Sequence, residues 1–341
     1  MTRWRAASLM CLAFACTAAP PGAPHGDTDD AGVATPDSSS TDTAALGDTD
    51  AADTDCGDDV STQSVLVGDA LPASDADVHA LRCVWKIVGS LVISGEAITS
   101  LHDLANLKVV TGSVQIEDAN RLGDLGGLNE LQQVGDDLEI SSNSDLTSLH
   151  GLDSLLSVGR HVHIYSNPAM SSLDGLGSLG FVGGELRVGG NATLVSLAGL
   201  QSLDEVAGSL IVADNDALSS LDGLQQLTQI DGDLRVSTND AISTLNGLGS
   251  LVRVGGAVEI LGNSSLLSLS GLSSLTDIDG YLAVRLNESL RTISDLTSLT
   301  SVGGAGPEFM HNRALCDSQI RWLEERLSTT CASCSDNNDG C

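Results

Sequence analysis

A 24-residue period runs through this chain without slippage from Val110 to Val302. The unit that starts at Val134 reads VGDDLEISSNSDLTSLHGLDSLLS, and the next, from Val158, reads VGRHVHIYSNPAMSSLDGLGSLGF. The same line returns at Val182, Val206, Ile230, Val254 and Ile278. A unit this short cannot bury its own apolar side chains. Copies at fixed spacing must stack, each covering the next, into a solenoid.

Counting the first Val of each unit as position 1, positions 5 and 7 are aliphatic: Leu138 and Ile140, Val162 and Ile164, Leu186 and Val188. Polar residues alternate with them, which is the pattern of a strand with one buried face. Position 10 is Asn in seven successive units, from Asn143 to Asn287. Asn tolerates a left-handed turn, and its amide can bond nearby backbone or the next coil. Leu146, Leu149, Leu152 and Leu155 then recur every three residues, and their counterparts do so in each unit. That spacing fits short extended segments with turns, or one 3₁₀-like turn, rather than a helix. About ten coils at the ~4.8 Å spacing of parallel strands predict a rod ~48 Å long.

Both ends depart from the repeat. Asp75 to Ile87 keeps a three-residue apolar spacing, and the step from Ile87 to Val110 is one residue short. Gly306-Pro307 interrupts the last strand, and Asn312 falls one place late. Ile320, Leu323 and Leu327 then mark an amphipathic helix over Asp317 to Leu327, suited to covering an open end of the stack. The solenoid is expected over 61–314 and a Cys-rich cap over 315–341.

Arg3 and Arg5 precede a short apolar run ending Ala13-Phe14-Ala15-Cys16. The layout is that of a secretory signal over residues 1–15, too short to cross a membrane as a stable helix. The run resembles a bacterial lipobox with Cys16 as the lipidated residue, although Ala13 stands where Leu is usual. Cleavage by ordinary signal peptidase, giving a secreted protein, is the alternative. Residues 16–60 are rich in Thr, Ala, Ser, Pro and Asp and read as a disordered tether.

Eight cysteines are present. Setting aside Cys11 in the signal and Cys16 leaves Cys56, Cys83, Cys316, Cys331, Cys334 and Cys341, all outside the repeats. An even number in an exported chain points to disulfides. Cys56 and Cys83 flank the first coil and are expected to pair, while the last four allow three connectivities. A four-cysteine zinc site at the C-terminus is disfavoured, because Cys331-Ala-Ser-Cys334 has no second CxxC beside it.

The line V-G-G-x-L-x-I-x-x-N-x-x-L-x-S-L-x-G-L-x-x-L resembles the receptor L-domain repeat. That fold is a right-handed parallel β-solenoid found in growth-factor receptor ectodomains and bacterial surface lipoproteins. It is related to the leucine-rich repeat, from which this chain departs by having Gly three places before position 5 in most units. The resemblance implies an all-β, right-handed parallel β-solenoid with a short C-terminal capping helix. It also implies extracellular recognition without catalysis.

The net charge is −31, which argues against nucleic acid and against docking on anionic lipid through a basic patch. No nucleophile–base set, phosphate loop or cofactor motif is present, so neither an enzyme nor a cofactor is expected. The outward strand positions hold the candidate ligand-binding residues His161, His163, Tyr165, Glu185 and Arg187, with Asp137 and Glu139 alongside. A metal site there is disfavoured, since an open face does not give closed coordination. The sequons at Asn191, Asn263 and Asn287 fall on the repeat Asn and read as products of the repeat, not as glycan sites. The chain is therefore expected to be a cell-surface lipoprotein of the envelope or outer membrane. Its solenoid would recognise protein or carbohydrate partners, and the alternative is a structural envelope protein that associates with itself.

Overall fold

The computed structural model describes residues 64–304 and 306–339. Positions 5 to 8 of each unit form a four-residue strand, such as Leu138–Ser141, Val162–Tyr165 and Leu186–Gly189. The last two residues of the seam between units form a second, two-residue strand, such as Gln133–Val134 and Ser157–Val158. Each strand pairs in parallel with its copy 24 residues on: Leu138 faces Val162, Ile140 faces Ile164, and Val134 faces Val158. Two eleven-stranded parallel sheets result, which we call the longer sheet (four-residue strands) and the shorter sheet. The molecule is thus a β-solenoid of about eleven turns, one more than the repeat count suggests.

The extra rungs come from the two ends. Ser64–Val67 adds the first strand to the shorter sheet, beside Val84–Val88. Ser333–Ser335 adds the last strand to the longer sheet, beside Glu308–Met310. The spacing over Asp75 to Ile87 yields a short helix, α1 (Asp75–His79), followed by a turn and the strand from Val84. The amphipathic pattern near the C-terminus forms helix α2 (Asp317–Leu327), which buries Ile320 and Leu323 against the last coil. Among the described residues no helix is long and apolar enough to cross a membrane.

The core is the stacked aliphatic side chains. Leu186, Val188, Leu194, Leu197, Leu200 and Leu203 of one coil have no solvent exposure, and neighbouring coils repeat this. The three-residue spacing becomes tight turns, with Leu152 N–H bonded to Leu149 O at 3.1 Å and Leu155 N–H to Leu152 O at 2.9 Å. Each such turn holds a glycine with positive φ, +116° at Gly151 and +115° at its counterpart Gly175 in the next coil. A Cβ on Gly175 would strike the carbonyl of Leu149 in the preceding coil, so only glycine lets the coils close to strand spacing.

The position-10 asparagines are buried and joined into one column. The Oδ1 of Asn191 accepts from the backbone N–H of Asn167 at 3.0 Å, and the Oδ1 of Asn215 accepts from Asn191 N–H at 3.1 Å. Each Nδ2 donates back to a strand carbonyl of the preceding coil, as Asn215 does to Val188 O at 3.1 Å. The column begins at Ala119, whose N–H donates to Asn143, and ends at Asn337, which accepts from Asn312 at 3.2 Å. The left-handed residue is not the Asn but the one before it: Ser142, Ser166, Asp214, Thr238 and Leu286 all have φ near +55° to +61°. The Asn amide is committed to the column, so the turn falls to its neighbour.

Cys331 and Cys334 are joined in a disulfide, which fixes one pairing among the last four cysteines. Cys83 and Cys316 are also disulfide-bonded. Cys16, Cys56 and Cys341, with the signal and tether segments, lie outside the described residues.

Candidate functional site

Inward strand positions are filled by packing, which leaves positions 4, 6 and 8 of the longer sheet to face outward. The register places His163 beside Glu139 on one side and Arg187 on the other, and Tyr165 between Ser141 and Gly189. The five candidate residues therefore meet on two adjacent rungs.

Their contacts run from rung to rung. Tyr165 donates its hydroxyl proton to Glu139 Oε1 at 2.7 Å. Ser141 is wholly buried on the same rung as Glu139, next to Tyr165. That bond to a carboxylate raises the Tyr165 phenol above its ordinary value. The rings of His161 and His163 stack with centroids 5.6 Å apart. His161 Nδ1 accepts from the Glu185 N–H at 2.9 Å, which makes that nitrogen the unprotonated one. His163 Nε2 stands 3.3 Å from Glu185 Oε1 but makes no hydrogen bond. Asp137 accepts from His161 N–H at 3.1 Å and lies 3.7 Å from Arg160. Arg187 is exposed and has neither a hydrogen bond nor an ion pair among the described residues.

A second constellation, five rungs away, was not read from the sequence. Tyr281 donates to Glu259, and Arg235 Nε pairs with Glu259 Oε2 at 2.8 Å. The Tyr281 phenol is raised by that same bond. Arg285 pairs with Glu308 on the next rungs. One signal could have found it: the chain has only two tyrosines, and both fall on outward positions of the strand unit. Each is held by a glutamate on the preceding rung.

Among the described residues no group of three or more His, Cys, Asp or Glu side chains is placed to hold a metal ion. Asn191, Asn263 and Asn287 have no solvent exposure, and their amides belong to the column, so the folded chain offers no sequon there for a glycan. What the outer face can do chemically is present fixed rings, paired carboxylates and guanidinium groups on a flat sheet. No protein-family model matches the chain, and no curated protein matches it.

Proposed function

We propose that this chain is a non-catalytic recognition module of the cell surface, tethered by a lipid on Cys16 and built on a receptor L-domain-like solenoid. The observation that carries the reading is the outer face of the longer sheet. In a chain with 2% aromatic residues, both tyrosines stand on that face, each oriented by a glutamate. Inward positions repeat because coils must pack; the outward ones are free of that duty and hold residue types suited to contact. Tyr and Arg are enriched where binding energy concentrates, because each offers large contact area with a directional polar end. The export signal and tether, as read from the sequence, place such a module where partners are protein or glycan.

The test compares faces. The parent chain, immobilised, is offered envelope material. It is compared with a His163→Ala, Tyr165→Ala variant and with a control altered on the shorter sheet, Gln133→Ala, Glu205→Ala. Loss of a defined bound species with the first variant only supports the reading. Equal binding by all three contradicts it.

A second reading, self-association, draws on one observation. Val65, Val67 and Val88 are exposed on the first two strands of the shorter sheet, at 46%, 79% and 40%. Sedimentation velocity over a concentration series tests it: a single unchanging monomer boundary removes it.

A further inference from the structure

We propose that two copies of this chain associate through the outer face of the shorter sheet, antiparallel, the lysine end of each over the acidic part of the other. The inference rests on the self-association reading and names its surface.

Two outward columns build this face. One starts at Trp85 and continues through Lys108, Gln132, Leu156, Gly180 and Asp204, each N–H donating to the carbonyl one rung before. The other, set by the strand register, runs through Lys86, Val109, Gln133, Ser157, Phe181 and Glu205. Val65 lies beside Lys86, and Val67 beside Val88. The next residues inward, such as Val110, Val134 and Val158, are buried, so the columns are what the sheet shows to solvent.

Charge divides the face along its length. Lys86 and Lys108 are the only lysines of the chain, and they fall on adjacent rungs. From Val65 to Phe181 the outward positions hold no Asp or Glu. Beyond Phe181 come Asp204, Glu205, Asp231, Asp277 and Asp279 against one cation, Arg253, which pairs with Asp279. Among the described residues, Lys86, Lys108, Asp204 and Glu205 make no side-chain hydrogen bond or ion pair. Leu156 and Phe181 stand exposed at the border between the two halves.

Such a face complements itself in one way. Parallel copies would lay lysine on lysine and acid on acid. A two-fold axis along the strands runs the copies antiparallel instead, with the same patch used by both. When Lys108 stands opposite Asp204 of the second copy, the axis passes through the rung of Leu156. Leu156 then meets its own counterpart, Phe181 covers Gln133, and Lys86 comes within one rung of Glu205. The overlap runs over nine strands, from Val65 to Arg253. That is roughly 43 Å by ~13 Å on each copy, the low end for a specific interface, and suits a weak, reversible dimer.

The lysine end alone would also suit anionic lipid. The second copy is favoured because the same strip continues into Asp204 and Glu205, which a negative surface repels. At physiological ionic strength charges more than about 8 Å apart are screened, so contact pairs outweigh the net charge of −31.

The experiment is sedimentation velocity of the full chain over a concentration series, every sample carrying Cys16→Ser so that no lipid contributes. Two charge-reversed chains are compared with the parent: Lys86→Glu with Lys108→Glu, and Asp204→Lys with Glu205→Lys. The parent should dimerise. Each reversed chain alone should do so at least about 100-fold more weakly, because like charges then face each other. An equimolar mixture of the two should return to within about tenfold of the parent, since both sets of pairs are restored, and that recovery shows that both fold. Lys86→Gln with Lys108→Gln should weaken the dimer about tenfold and keeps the test decisive should a reversed chain fold poorly. A parent dimer that is indifferent to these changes overturns the surface and leaves the self-association reading standing. So do well-folded reversed chains that the mixture does not rescue. A parent that stays monomeric overturns both. If that monomer binds phosphatidylglycerol vesicles and the Lys86→Gln, Lys108→Gln chain does not, the patch belongs to a membrane instead.

Discussion

The buried asparagine column and the outward face of the longer sheet are a few residues apart in every coil, yet they obey opposite rules. In the column each side chain must satisfy the coil on either side: Asn215 accepts from Asn191 and donates to Val188, Ala213 and Asn239. No other residue type offers that set of one acceptor and two donors at that reach, so the position repeats. On the outward face a side chain answers only to solvent and to the next rung. Position 6 therefore runs Glu139, His163, Arg187, Ile211, Arg235 and Glu259. Sequence variation inside a strict repeat thus separates residues committed to folding from residues available for contact.

The largest effect should come from cutting the column in its middle. Asn215→Ala leaves the buried Asn191 N–H without a partner and removes a donor from Val188 O and from Ala213 O, the latter still accepting from Gly190 N–H, and we expect a loss of about 3 to 5 kcal/mol in denaturant unfolding. At the column's end, Asn337 accepts from Asn312 and donates to Phe309 O at 2.8 Å, but it is half-exposed. Asn337→Ala should cost about 1 to 2 kcal/mol, since water reaches the groups it abandons. An equal cost at the two sites would mean that burial does not set the value of the column.

Between the two regions lies the left-handed residue. Thr238 holds φ at +55° with a β-branched side chain, an unfavourable pairing. Thr238→Gly should raise stability by about 1 kcal/mol, and a fall in the melting temperature would contradict the strain.

The smallest effects belong to the outward face. Both phenols are raised by their glutamates, so both should ionise above about 10 in the native chain and near 10 when denatured, as tyrosinate absorbance will show. The folded state keeps its phenol protons where the unfolded state loses them. This contribution is therefore full below the unfolded value and disappears as pH rises through the folded one. Glu139→Gln should return one of the two phenols toward its ordinary value, with little change in the melt.

Much of this was legible in the sequence because periodicity reports packing. The strand pair at Leu138 and Ile140, the stacking and α2 all follow from apolar spacing. The last rung did not, since Ser333–Ser335 carries no aliphatic pair and α2 inserts ahead of it, displacing Asn337 from the 24-residue register. The coil-to-coil bonding of the Asn was legible, but the left-handed residue is its neighbour, whose type changes from unit to unit (Ser142, Asp214, Thr238, Leu286) and so leaves no periodic signal. The Tyr281–Glu259–Arg235 set was hidden for another reason: its members lie 22 and 24 residues apart and meet only when coils stack.

The central claim is that the outward face is free of folding duty while the column beneath it is not. Thermal unfolding of two variants from adjoining rungs tests it most directly: His163→Ala with Tyr165→Ala, and Asn191→Ala. The account predicts a Tm within about 3 °C of the parent for the face variant and about 10 °C below it for the column variant. A face variant that melts as early as the column variant would contradict it.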